Sequence, residues 1–80
     1  MPKPRKSAFD SGYITIIERL IARRREIGMT QVQLAALYGE PQSFISSVER
    51  KQRRLDVWEF VRWCRALQIE PSQVLSDLGG

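Results

Sequence analysis

The sequence predicts an all-α domain of five short helices. Two patterns carry that expectation. Apolar residues recur at three- and four-residue spacing in one segment after another. Glycines, prolines and capping residues punctuate those segments at helix-length intervals. A third observation limits the size: 80 residues make one domain, near the lower end of what a single hydrophobic core holds together without staples.

Residues 1–11 carry two prolines, three cations and no periodicity, and are expected to form a flexible basic arm ahead of a domain at 12–78. From Gly12, the apolar positions Tyr13, Ile14, Ile17, Leu20, Ile21 and Ile27 define helix one, with Arg19, Arg23 and Arg25 on its outer side and Gly28 as its stop. Thr30 with Gln33 three residues on is a capping box for helix two, whose buried stripe is Leu34, Ala35 and Leu37, up to Gly39. Pro41 to Arg50 is helix three, with Phe44, Ile45 and Val48 on one face. Asp56 and Glu59 repeat the capping logic before Val57, Phe60, Val61, Cys64 and Leu67, and this fourth helix ends near Gln68. Pro71 opens a short fifth helix that turns Val74, Leu75 and Leu78 inward.

Composition narrows the function. A hydrophobic fraction of 42% is ordinary for a globular chain, and the longest apolar runs, such as YITII, are too short to span a bilayer. The opening MPKPRKSAFDSG is not followed by an apolar run of signal-peptide type, so a cytoplasmic, non-membrane location is expected. Cys64 has no partner for an internal disulfide, and without histidine no common zinc site can be assembled. No metal, no cofactor and no catalytic centre are expected, because the commonest general base is missing and Cys64 sits among apolar neighbours.

The net charge of +4 is unevenly spread. Residues 1–54 hold eleven Lys and Arg against five acids, whereas residues 55–80 hold two against four. That asymmetry points to nucleic acid or another anionic surface.

Helices two and three are each too short to persist alone in water. A helix-turn-helix fixes two such helices by a tight crossing, which needs a small residue at the contact, a residue tolerant of positive φ in the turn and apolar anchors beyond it. Ala35, Gly39, Ile45 and Val48 supply these at matching offsets. The outward face of helix three, Gln42, Ser43, Ser46, Ser47 and Arg50, is polar and contains no acid. Serine is a poor choice inside a merely solvated helix. Glutamine can instead bond an adenine edge, serine a base or phosphate, and arginine a guanine, while small side chains let the helix enter the major groove.

The run MTQVQLAALYG, followed by PQSFISSVER and RRLDVWEFVRWCRALQIEP, resembles the lambda-repressor-like, or Xre-type, helix-turn-helix family of bacterial and phage regulators, over about Ile17 to Leu75. The resemblance implies a five-helix DNA-binding domain. It implies that Gln31 bonds a phosphate and braces Gln42, and that Gln42, Ser43 and Ser47 read base edges. Thr30, Ser46 and Arg50 would lie nearer the backbone, and Arg24 would pair with Glu49 in a partly buried ion pair. The loop Lys51, Gln52, Arg53, Arg54 follows the reading helix directly and is expected to clamp phosphates. Lys3, Arg5 and Lys6 of the arm are candidates for further backbone or minor-groove contacts. Three positions depart from the family pattern: Pro41 stands where a capping Ser or Thr is favoured, and Lys51 and Gln68 stand where helices usually end with Gly.

Phe44, Phe60 and Tyr38 are expected in or at the core. Trp58 falls on the outer side of helix four, with Trp63 at its margin, and the two mark a possible dimer contact away from the basic half. The expected function is a sequence-specific, double-stranded-DNA-binding transcriptional regulator, a repressor on a palindromic operator, acting as a homodimer. The alternative is a DNA-binding antitoxin or adapter module whose C-terminal part grips a protein partner.

Overall fold

Five helices follow one another through short connections: α1 Ser11–Glu26, α2 Gln31–Tyr38, α3 Gln42–Glu49, α4 Val57–Ala66 and α5 Pro71–Leu75. The computed structural model describes residues 11–76 and 78, and there is no strand among them. Lys3, Arg5, Lys6 and the rest of residues 1–10 lie outside the described residues, whereas Ser11 opens α1.

The helices start where local chemistry supplies acceptors for their first amides. Thr30 Oγ1 accepts the Gln33 N–H at 3.0 Å, and Gln33 Oε1 accepts the Thr30 N–H at 2.8 Å. Asp56 and Glu59 make the same reciprocal pair at 2.7 and 2.9 Å. Pro41 precedes α3 with no side-chain cap, as its ring requires.

Three helices end in the same way, each with a residue of left-handed backbone. After α1, Gly28 (φ 72°) donates to Arg25 O and Met29 to Arg24 O. After α3, Lys51 (φ 65°) donates to Val48 O and Gln52 to Ser47 O. After α4, Gln68 (φ 58°) donates to Arg65 O and Ile69 to Cys64 O. These are Schellman closures. Two of them keep the left-handed conformation without glycine, at about 1 kcal/mol each or somewhat more.

The core is built from Ile17, Leu20, Leu34, Ile45, Val48, Trp63, Cys64, Leu67 and Val74, none more than 2% exposed. Each large side chain so buried contributes about 1.5–3 kcal/mol. Gly39 (φ 88°) turns the chain between α2 and α3, and a Cβ there would meet nothing within 4 Å, so the glycine answers to backbone conformation and not to space. α2 and α3 make the most extensive contact of any helix pair.

Several expected positions differ. Leu37 is 63% exposed. At about 100° per residue, Leu34, Tyr38 and Ala35 fill a buried arc that leaves Leu37 off its edge. Val57 and Leu75 are also exposed, at 81% and 41%, on the rim of an apolar groove of about 280 Å³ with Tyr13, Leu55 and Phe60. Trp63 is not marginal but 1% exposed: it lies under the α2–α3 pair, 5.0 Å from the Tyr38 ring and 6.1 Å from Phe44, centroid to centroid. Trp58 is outside, 58% exposed, with the Arg65 guanidinium over its ring.

Arg19 and Arg23 are not on a solvated outer side. Arg19 donates to Val74 O, and Arg23 to Leu67 O and Gln68 O, so α1 satisfies carbonyls left over at the ends of α4 and α5. Leu55, in the irregular segment before α4, is buried, and its N–H donates to Tyr13 Oη at 3.0 Å.

Candidate nucleic-acid interface

α3 presents two unlike faces. Ile45 and Val48 are sealed into the core, and the half-buried Phe44 stacks on Tyr38 at 5.7 Å. On the other side Gln42, Ser43 and Arg50 are exposed, and Ser46 and Ser47 half-buried. This is the surface expected from the sequence, held on a rigid two-helix wedge.

Beneath that surface is a buried ion pair. Arg24 of α1 donates to Glu49 of α3 twice, Nε to Oε2 at 2.6 Å and Nη2 to Oε1 at 2.9 Å, and its Nη1 donates to Met29 O at 2.8 Å. Both residues are 8% exposed. The pair expected from Arg24 and Glu49 is therefore formed, bidentate and more enclosed than expected. It also removes the one acid of α3 from the outward face.

Gln31 extends the pair outward. Its Nε2 donates to Glu49 Oε1 at 2.8 Å, and its Oε1 accepts from Gln42 Nε2 at 3.1 Å. The bracing of Gln42 by Gln31 is present in the free domain, and the link to Glu49 is an addition that sequence spacing did not signal. Thr30 spends its hydroxyl oxygen on the α2 cap, while the first amides of α2, at Gln31 and Val32, have no intrahelical acceptor. Ser47 Oγ donates to Ser43 O at 2.8 Å.

The basic loop after α3 is less free than its sequence suggests. Lys51 Nζ pairs with Glu18 Oε2 at 2.6 Å, reaching back to α1. Arg53 makes a two-pronged pair with Glu59 at 2.9 and 3.0 Å and lies over the Phe44 ring at 4.7 Å. Hydrogen bonds from Arg53, then from the Asp56 amide, hold the Glu59 carboxyl below its ordinary value. The Arg54 guanidinium lies 4.7 Å over the Tyr13 ring. Arg50, at the start of the loop, is exposed and donates to the neutral Gln52 amide at 3.2 Å. Lys51 and Arg53 are thus tethers of the loop as well as cations. The Asp56–Glu59 spacing identified the cap but gave no hint of the Arg53 partner.

Outside this face the chemistry is sparse. Burial pushes the Cys64 thiol up to about 11, so it stays protonated at neutral pH and packs as an apolar group. Among the described residues no cluster of His, Cys, Asp or Glu is arranged to hold a metal, and no helix is long and apolar enough to cross a membrane.

Residues 20–74 match the family described as helix-turn-helix. The solved structure of an XRE-family like protein from Pseudomonas syringae pv. tomato str. DC3000 is similar at 42% sequence identity, over 86% of this chain and 84% of that one, with a TM-score of 0.82. No curated protein matches the chain.

Proposed function

The chain belongs to the XRE-type helix-turn-helix family of DNA-binding regulators, and from that membership we propose a transcriptional repressor that binds a palindromic operator as a homodimer. The observation that carries the reading is the outward face of α3, where Gln42, Ser43, Ser46 and Ser47 stand together while Glu49 is folded away against Arg24. Gln42, Ser43 and Ser47 enter the major groove and read base edges. Thr30, Gln31, Ser46 and Arg50 meet the sugar-phosphate backbone, with Arg54 and the tethered Lys51 and Arg53 adding positive potential beside it. The protein acts in the cytoplasm.

Dimerisation is supported by Trp58, exposed on α4, and by the neighbouring apolar groove lined by Val57, Phe60 and Leu75. A two-fold contact there sets two α3 helices about one turn of duplex, roughly 34–36 Å, apart. The same apolar surface also favours a second reading, an adapter or antitoxin whose C-terminal part holds another protein. A stoichiometric second protein that co-purifies, and is released by Trp58→Glu, distinguishes it from the homodimer.

Selection of bound duplexes from a random pool at two salt concentrations tests the main reading. A two-fold symmetric site should emerge, and for each tenfold rise in salt affinity should fall by about 0.9 logarithmic units per neutralised phosphate, with about four to six phosphates for each monomer. A pool that shows no enrichment at either salt rejects it.

A further inference from the structure

A glutamine amide is nearly symmetric in shape, with an acceptor at one tip and a donor at the other, so a lone Gln42 offers a base edge either end. In this domain the choice is imposed from the interior. Arg24 has only donors, and Glu49, a carboxylate, only accepts. Because Glu49 Oε1 already takes a hydrogen from Arg24 Nη2, the next link must also donate, and Gln31 does so through Nε2 at 2.8 Å. That leaves Gln31 Oε1 facing Gln42, which must answer with Nε2, and it does at 3.1 Å. One Nε2 hydrogen of Gln42 is thereby spent inward. Its Oε1 and its second hydrogen remain for a base. Ser47, further along α3, is set in the same sense: its proton goes to Ser43 O at 2.8 Å and its lone pairs are left over.

We propose that Glu49 is a positioning residue for base preference: held by Arg24 and acting through Gln31, it makes Gln42 lead with its carbonyl oxygen. The inference rests on Gln42 reading a base edge, as proposed above. A leading acceptor selects bases that carry an amino group in the major groove, adenine through N6 and cytosine through N4. Adenine is favoured further because its N7 takes the second Nε2 hydrogen. Guanine and thymine present acceptors to the same oxygen and can engage only the second Nε2 hydrogen, so they are disfavoured. The anchor is sheltered from water, with Arg24 and Glu49 each 8% exposed, so the polarity is kept when the tip of the chain is wet.

The experiment measures base preference with the full chain. The position contacted by Gln42 is identified as the one whose preference Gln42→Ala abolishes, and preference there is compared among the wild type, Glu49→Gln and Gln31→Lys, with thermal melts to show that each is folded. Wild type should favour adenine and cytosine over guanine and thymine by about tenfold or more. Gln31→Lys puts a donor-only group between the same partners, so Gln42 must turn its oxygen inward and the preference moves to guanine or thymine. Glu49→Gln can give or take a hydrogen, and the preference should shrink to within about threefold. Folded variants that keep the wild-type preference and bind all sequences more weakly overturn the role of Glu49, while Gln42 remains a reader. A wild type in which no position responds to Gln42→Ala removes base reading itself, and this inference with it. Should Glu49→Gln not fold, Gln31→Lys, at a half-buried site outside the ion pair, decides alone.

Discussion

Replacing Arg24 with methionine should cost the domain a large part of its stability. The change removes three hydrogen bonds, two to Glu49 and one to Met29 O, and leaves the Glu49 carboxylate 8% exposed with Gln31 as its remaining side-chain donor. Breaking a buried pair from one side costs about 3–5 kcal/mol, because the surviving charge can neither reach water nor find a counter-ion. A chain of 80 residues holds about 4–12 kcal/mol in total. In urea, with a slope of about 1 kcal/mol/M for so small a domain, the midpoint should fall by about 3 M or more while the slope is unchanged. The double variant Arg24→Met/Glu49→Met should recover most of the loss, since an apolar pair of similar volume in such a place is often neutral. A single-variant loss below about 1 kcal/mol, the value of an exposed pair, would refute the buried-pair account. So would a double variant as unstable as the sum of the two singles.

Gln42→Ala should weaken the preferred duplex by about 1–3 kcal/mol and leave random DNA nearly unaffected, whereas Arg54→Ala should weaken both alike and lower the salt slope by about one; filter binding against the two duplexes separates them. Gln68→Gly relieves a left-handed backbone at φ 58° on an exposed side chain, and part of the gain is returned as glycine entropy in the unfolded chain. A net rise of about 0.5 kcal/mol, or about 2–4 °C in Tm, is expected, and a fall in Tm would contradict the strain. The Cys64 thiol, raised from 9.0 to about 11, keeps its proton in the folded state through a range where the unfolded chain loses it. Its contribution is full below pH 9 and lost toward pH 11, so denaturation curves for Cys64→Ala should vary less over that window. At pH 7 a thiol reagent should label wild type only as fast as the domain unfolds.

The parts of this fold that are legible in sequence are those whose chemistry closes within a turn. Thr30 with Gln33 and Asp56 with Glu59 are local pairs, and both helix starts follow from them. The lengths of α2 and α3 and the polar face of α3 follow from periodicity. Periodicity states which residues are able to face a core, not how much core there is to face. Leu37, Val57 and Leu75 are apolar at helical spacing and remain exposed, because an 80-residue domain runs out of interior before it runs out of apolar side chains. What stayed hidden was non-local. Arg23 closes the end of α4 from 44 residues away, Leu55 is pinned to Tyr13 across 42, and Lys51 reaches Glu18 across 33. The Arg24–Glu49 pair spans 25 residues and was expected only because the chain resembles a known family; the Gln31–Glu49 link above it was not.

Rigidity at the centre of the wedge has a mechanical corollary for whatever duplex is bound. α1, α2 and α3 are fastened at one carboxylate, by Arg24 and Gln31, so α3 has little freedom to tilt toward an imperfect groove. Accommodation then falls to the DNA. For the proposed homodimer, among sites with the same contacted bases, those with pliant pyrimidine–purine steps between the half-sites should be wrapped at lower elastic cost than those with stiff A-tracts. On that proposal, the ranking of operators would be set in part by the curvature of base pairs that no side chain touches.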